Sequence, residues 1–562
     1  MASTSAITWD LDADVVVVGS GACGMPAAIV AREAGARVLV VEAEDHMGGH
    51  AMVSGGNVPL GGGTSIQKKY GIPDTPDLQF RDLTDWSVVG TNGFPDYRYN
   101  DREIVRAFSD NSVATCEWLL AHGVIFVDKA PDDRGGNSVG NSLPREMHCA
   151  ALDWPMAQTG KPQPTPELRA TFSTGNGLMN PLRVAAAKAG VEILLEHRMV
   201  AIHRESPRSG RVTGISVDVR GERRNILARK AVVIATGGST GNVEFRRMFD
   251  PRLTEEYCGL AGMPWSNQDA SGELAAMDVG AALWGLFNQT SEVGLTLTKA
   301  GMIGCQYGYR NLQWMPGSEV FQKAGASGLR VQNWQDLILV NMLGKRFYDE
   351  TGEQFFGNNY NSIDPYTQGS FKNARDIKFK PANFINAAMA GIDDGHNGGG
   401  PIWAIFDADA VAREGWDPKP PNVDVGAGFF FSADTLAALA RKIVMKHQRV
   451  PMPAENLEAT VARYNSFVES GVDSDFDKPT PQFKIARPPF YAAWATPVVH
   501  DTRAGLRINA RCQVMDMGGR VIPGLYCGGE SAGGFSQHGL ARATCQGYIA
   551  GKNAAAETLS NE

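Results

Sequence analysis

The chain has 562 residues, which at ~100–200 residues per domain gives room for about two to four domains. Hydrophobic residues make up 43% and charged residues 20%, enough to bury a large core and to exclude a disordered or fibrous chain. The net charge of −8, with no long basic run, disfavours a nucleic-acid groove.

No basic residue precedes Arg32, so the start lacks the positive region of a secretory signal. Asp14-Val15-Val16-Val17-Val18 is an unbroken β-branched run, as expected of a parallel strand buried on both faces. It enters Gly19-Ser20-Gly21-Ala22-Cys23-Gly24, a helical pattern over 25–34, Gly35, and a second strand over 37–42 that closes on Glu42. Strand, GxGxxG, helix, strand and acid form a dinucleotide-binding unit. Gly19 makes the turn, Gly21 lets backbone approach a pyrophosphate, and Gly24 allows helix–strand packing. Glu42 accepts from ribose hydroxyls, which argues against a 2′-phosphorylated cofactor.

A second glycine cluster follows, Gly48-Gly49-His50 through Ser54-Gly55-Gly56-Asn57, and then Gly61-Gly62-Gly63. One phosphate loop suffices for NAD, so two glycine-rich approaches point to a longer cofactor such as FAD. Strand-like residues 192–195 and 199–203 precede the run 230–235, which enters Thr236-Gly237-Gly238. The last such piece is Pro523-Gly524-Leu525-Tyr526-Cys527-Gly528-Gly529-Glu530, followed by a helix over about 540–558. Both ends of the chain therefore contribute to the cofactor domain.

Between these ends the reading is coarser. Residues 128–170, rich in Gly, Pro, Asn and Asp, read as a surface excursion. Trp284, Phe287, Tyr307, Tyr309, Trp314, Phe321 and Trp334 read mostly as core, with some available to line an apolar pocket. Residues 434–447 and 454–469 read as two amphipathic helices. The nearest cysteines, Cys512 and Cys527, are far beyond CxxC spacing, so no zinc or iron–sulfur arrangement is expected. No apolar run reaches the ~18 residues of a membrane span. A reduced cytoplasmic location is the expectation.

In this order GSGACG, GGHAMVSGG, ATGG at 235–238, DASGELAAMDVGA at 269–281, GKRFYDE at 344–350, HDTRAGLRI at 500–508 and IPGLYCGGE at 522–530 resemble the FAD-containing succinate dehydrogenase/fumarate reductase flavoproteins, including ketosteroid dehydrogenases and soluble fumarate and urocanate reductases. The resemblance implies an α/β fold: a Rossmann-like FAD domain split over 1–284 and 490–562, with an α+β cap over 285–489. It carries cofactor contacts onto Gly19, Gly21, Gly24, Glu42, Ala43, Gly49, His50, Ser54, Gly55, Gly56, Val200, Ala235, Thr236, Gly237, Asp269, Glu530, Gly539 and Leu540. The last helix then points its positive end at the flavin's pyrimidine edge. His50 falls where membrane-bound relatives bond FAD covalently, but non-covalent FAD is the expectation here. His500 aligns with a substrate-binding histidine and is the leading catalytic candidate. His538 and Arg503 are further candidates. Gln354 stands where acid reductases carry a proton-donating arginine and ketosteroid 1-dehydrogenases a tyrosine, and it cannot serve as acid or base near neutral pH; GGFSQHG also replaces the tyrosine-containing YPGPG segment of those steroid enzymes, so neither acid–base set is complete.

The expected activity is hydride exchange between flavin N5 and a CH–CH or C=C bond near the carbonyl of a largely apolar cyclic ketone. Reduction of an unsaturated acid, oxidation of a hydroxyl to a ketone, and a ligand-binding flavoprotein without turnover are the alternatives. The expected partners are a small-molecule substrate and an electron donor or acceptor that the sequence does not name.

Overall fold

The computed structural model describes residues 7–84, 100–132, 142–150, 174–249, 253–257, 265–285, 300–308, 316, 321–347, 349–351, 400–499, 502, 504–535, 537 and 539–558. The first half carries the strands β1 (Leu11–Val18), β2 (Val38–Val41), β3 (Asn57–Pro59), β4 (Glu146–His148), β5 (Glu192–Leu194), β6 (Arg198–Ser206), β7 (Ser209–Val219) and β8 (Glu222–Ile234). The principal helices at the site are α1 (Gly24–Glu33), α2 (Gly49–Met52), α3 (Ser271–Asp278) and α4 (Leu540–Ala555).

The main sheet has eight strands. Its spine runs Gln513–Met515, Val521–Cys527, β8, β1, β2, β5, and the β6–β7 hairpin joins through β8. β1 is parallel to both neighbours, with Val16 opposite Leu39 on one side and Val232 on the other. Val15, Val16 and Val17 are fully buried, as a strand covered on both faces requires. Val521–Cys527 lies parallel to β8, so the end of the chain completes a sheet begun by its start. α1 and α4 pack without side chains between their backbones. A Cβ at Gly547 would sit 2.2 Å from the Cys23 carbonyl, and one at Gly551 2.3 Å from that of Ala27.

A second, antiparallel sheet runs Ile338–Val340, Trp403–Phe406, Phe490–Trp494, Phe430–Ala433. Its side chains alternate between two cores. Leu339, Ala404 and Phe406 enter one, while Ile338, Trp403 and Ile405 enter the other beneath Leu439, Leu457, Val461 and Tyr464. Phe490–Trp494 thus pairs in this sheet, although the sequence grouped residues 490–562 with the cofactor domain.

Two more expectations change. The helix expected over 434–447 forms only as Leu436–Lys442, where Ile443 leaves helical geometry; Ile443 is buried while Val444 points outward. Its partner forms as Ala454–Ser470 and stops at Gly471, in the left-handed region. The excursion over 128–170 is not all surface. β4 pairs with β3, and Arg145 is fully buried, donating to Asp74 at 2.8 Å and Asp82 at 2.6 Å. Among the aromatic residues of 284–334, Tyr307 and Phe321 pack on the first core and Trp334 on the second. Phe287, Tyr309 and Trp314 lie outside the described residues. All described cysteines are buried and unbonded, and no described helix is long and apolar enough to cross a membrane.

Candidate functional site

The loops after β1, β8 and Val521–Cys527 converge at the carboxyl ends of parallel strands, where open α/β sheets take their ligands. Three glycines of the first loop have different reasons to be glycine. A Cβ at Gly24 would lie 1.8 Å from the Gly19 carbonyl, and one at Gly19, with φ +102°, 2.3 Å from that of Ala235. Both are demanded by protein packing. A Cβ at Gly21 would meet nothing closer than the Gly48 carbonyl at 3.9 Å. Gly49 faces the same opening, its Cβ position 3.9 Å from Gly21 Cα. Open space beside a bare backbone, at a helix with no side-chain cap, fits a pyrophosphate. The residues present therefore fit FAD.

Glu42 does more than the sequence indicated. Its Oε2 accepts from the Ser20 amide at 2.9 Å and the Ser20 hydroxyl at 2.6 Å, and that hydroxyl accepts from the Gly48 amide at 3.2 Å. Glu42 thus ties the two glycine loops together. Its Oε1, which accepts from the Glu44 amide at 3.1 Å, is the oxygen left for a ribose hydroxyl.

At the far end, α4 begins at Leu540 as expected. Gly539, at φ +87°, precedes it, and neither a capping side chain nor an acid occupies its first turn. A Cβ on Gly539 would be 3.2 Å from the Asn57 carbonyl, so this helix end abuts β3 and the Ser54–Gly56 segment. Gly56, at φ +79°, is fixed by packing, since a Cβ there would meet the Thr174 carbonyl at 2.5 Å. The Ser54 hydroxyl donates to the Ala51 carbonyl at 2.9 Å.

Between these ends lies a polar cluster. Gln268 Nε2 donates to His50 Nδ1 at 2.6 Å and to Glu530 Oε2 at 2.8 Å, while the Thr240 hydroxyl donates to Gln268 Oε1. Burial pushes the Glu530 carboxyl up, but its polar neighbours and the cation of Arg542 hold it below its ordinary value. Arg542 is buried and donates to the carbonyls of Phe535 at 2.5 Å and Thr502 at 3.0 Å. Thr236 and Ser531 share a hydroxyl contact at 3.2 Å, and Ser531 donates to the Gly237 carbonyl at 2.8 Å. This joins the β8 loop to the Glu530 turn, with Ala235 buried behind it.

Other expected contacts are occupied differently. Asp269 accepts from Arg198 and from the Ser271 amide at 3.0 Å, which makes it a loop tie. Val200 is an exposed residue of β6 at a register shift in the β6–β7 ladder. Ala43 follows Glu42 in the turn after β2 and is partly buried. His500, Arg503, His538 and Gln354 lie outside the described residues. Gln268, Arg542 and Glu273 were not among the sequence candidates. Glu273, in the first turn of α3, is fully buried with no hydrogen-bond partner on either carboxylate oxygen among the described residues. Burial, and then the charges of Asp269 and Glu530, hold it well above the ordinary carboxylate range. Away from this site, the ligand atoms of Asp132, Glu146 and His148 lie within 4.8 Å of one another. The Lys129 ammonium and the Asn57 amide already donate to those carboxylates, so the cluster reads as an ion-pair tie.

The chain belongs to the FAD binding domain family, which matches residues 14–544. It is similar to the 3-oxosteroid 1-dehydrogenase of Mycolicibacterium smegmatis, at 27% identity over 92% of this chain and 91% of that protein. It is also similar to the fumarate reductase (cytochrome) of Shewanella frigidimarina, at 28% identity over 94% of this chain and 73% of that protein. Its fold matches the solved 3-ketosteroid delta1-dehydrogenase from Sterolibacterium denitrificans with a TM-score of 0.63 at 22% identity, over 97% of this chain and 100% of that one. The protein is an FAD-binding oxidoreductase.

Proposed function

We propose that the protein exchanges hydride between FAD and a CH–CH or C=C bond beside the carbonyl of a largely apolar cyclic ketone. The carrying observation is the state of Arg542. This cation, buried beside Glu530, donates to the Phe535 and Thr502 carbonyls, so part of its donor set is committed to the protein backbone. A small dicarboxylate in a closed pocket needs cationic partners, because an unpaired buried charge is expensive. Gln354 in place of a proton-donating arginine counts against a dicarboxylate, though it equally stands in place of the tyrosine of ketosteroid 1-dehydrogenases; similarity to a 3-oxosteroid 1-dehydrogenase over nearly the full length of both chains favours the ketone.

FAD, when bound, supplies the two-electron chemistry. The chain's own residues bind and orient it. Gly21, Gly49 and the α1 N-terminus would hold the pyrophosphate, Glu42 the ribose, and Ser54 to Gly56 with the α4 N-terminus the ring end. Of His500 and His538, one would donate to the substrate carbonyl and so acidify the adjacent C–H, and the other, neutral, would accept that proton as the hydride leaves for the flavin. The proposed cofactor domain comprises 1–284 and the segment after 494, and the proposed cap 285–494, extended to keep Phe490–Trp494 with its sheet.

The test is anaerobic mixing of oxidised holoenzyme with a panel of saturated cyclic 3-ketones and with succinate. The flavin band should bleach with at least one ketone and not with succinate. Bleaching by succinate alone would instead establish the acid-reductase reading, which the similarity to fumarate reductase (cytochrome) favours.

A further inference from the structure

Gln268 is a buried glutamine whose backbone sits at φ +44°, and Ala270 two residues later is at +60°. Non-glycine residues held in this region cost on the order of 1–3 kcal/mol each and persist only where surroundings fix them. Gln268 is fixed at both ends. Its carbonyl accepts from the Gly241 amide at 2.9 Å, and Thr240 donates to its side-chain oxygen. The amide orientation is decided by Glu530. With Oε2 of that carboxylate 2.8 Å away, the facing atom of Gln268 must be the NH₂ group, since an oxygen there would face an oxygen.

That orientation has a consequence for His50. The second N–H of the same NH₂ group points at His50 Nδ1, 2.6 Å away. An amide nitrogen only donates, so Nδ1 must present its lone pair, and the proton of the neutral ring stands on Nε2. The competing partner for Nδ1 is Glu530 Oε2 at 3.6 Å, beyond hydrogen-bond range. A proton on Nδ1 would also face the Gln268 donor. The other charged groups here act through Glu530 and Glu273: Arg542 on Glu530, and Asp269 and Glu530 on Glu273.

We propose that Gln268 is a positioning residue that locks neutral His50 in its Nε2–H tautomer, so that the one nucleophilic nitrogen, Nδ1, is engaged by Gln268 and the ring is left with a hydrogen-bond donor, Nε2–H, for FAD. His50 would then serve the cofactor without a covalent bond. The proposal rests on FAD binding at this site and is independent of which substrate is turned over.

The experiment uses holoenzyme carrying ¹⁵N-labelled histidine, with His50 identified by the cross-peaks that His50→Asn removes. Long-range ¹H–¹⁵N correlation at neutral pH should show His50 protonated at Nε2 and bare at Nδ1. Gln268→Met keeps the side-chain length and the same strained backbone but removes the donor. In it the His50 pattern should shift toward protonated Nδ1, drawn by the Glu530 carboxylate. Acid precipitation of wild type should leave the flavin in the supernatant. A wild-type ring protonated at Nδ1, an unchanged pattern in a flavin-loaded Gln268→Met variant, or flavin that stays on the precipitated chain would each overturn the proposal. Should Gln268→Met fail to fold, the wild-type spectrum and the precipitation decide it.

Discussion

Replacing Glu273 with Leu removes a fully buried carboxyl that has no hydrogen-bond partner among the described residues. Leaving a buried polar group unsatisfied costs about 1–3 kcal/mol, and Leu fills a similar volume without that penalty. A second contribution depends on pH. Burial and the neighbouring carboxylates raise the folded-state value of Glu273 well above its ordinary one. Below the unfolded value of about 4.3, both states hold the proton and the fold loses nothing. As pH rises above it, the unfolded chain ionises while the native one stays protonated. Stability therefore falls by up to about 1.4 kcal/mol per pH unit until the folded value is passed. Glu273→Leu should be more stable than wild type by at least about 1–3 kcal/mol, and its advantage should widen as pH rises above about 5. Melting of the flavin-loaded proteins reads this, at no more than about 2–4 °C per kcal/mol for a chain this long. A variant that melts below wild type at pH 8, or an advantage that does not change with pH, would refute the burial argument.

Gly21→Val should fold as wild type does, because nothing in the protein occupies its Cβ position, yet lose FAD affinity by about 5–150-fold, the equivalent of 1–3 kcal/mol of steric conflict, measured by flavin titration of apoprotein. Gly24→Ala should instead lower the melting temperature of the apoprotein itself, because its Cβ would meet the Gly19 carbonyl at 1.8 Å. Arg145→Met leaves Asp74 and Asp82 buried without their cation and should cost about 3–5 kcal/mol in urea unfolding; a loss under about 1 kcal/mol would show the triad is dispensable. His500→Ala should keep the flavin spectrum and melting temperature while slowing turnover about 10²–10⁴-fold; unchanged turnover would remove His500 from the chemistry.

What the sequence disclosed follows from which interactions are local. β1, its glycine loop and Glu42 were readable because a strand buried on both faces must be an unbroken apolar run, and the turn after it needs glycine in fixed order. The start of α4 at Leu540 was readable for the same reason, a glycine-rich segment ending in a helical pattern. Gln268, Arg542 and Glu273 were not. Gln268 and Arg542 join segments far apart in the chain, as when Gln268 links His50 to Glu530, and Glu273 takes its state from burial by the fold; no spacing rule reads either. Arg145 was hidden by its neighbours, since a Gly, Pro and Asn-rich composition reads as surface while the guanidinium is buried between Asp74 and Asp82. Phe490–Trp494 lies where the resemblance put the cap's end, and only pairing with Trp403–Phe406 shows which sheet it joins.

The central claim concerns what exchanges electrons with the flavin. Enzyme reduced anaerobically and mixed in a stopped-flow instrument with fumarate, or with a cyclic 1-en-3-one, tests it most directly through the return of the oxidised flavin band. Rapid return with the enone and none with fumarate is the predicted result. Rapid return with fumarate and none with any enone would contradict the account.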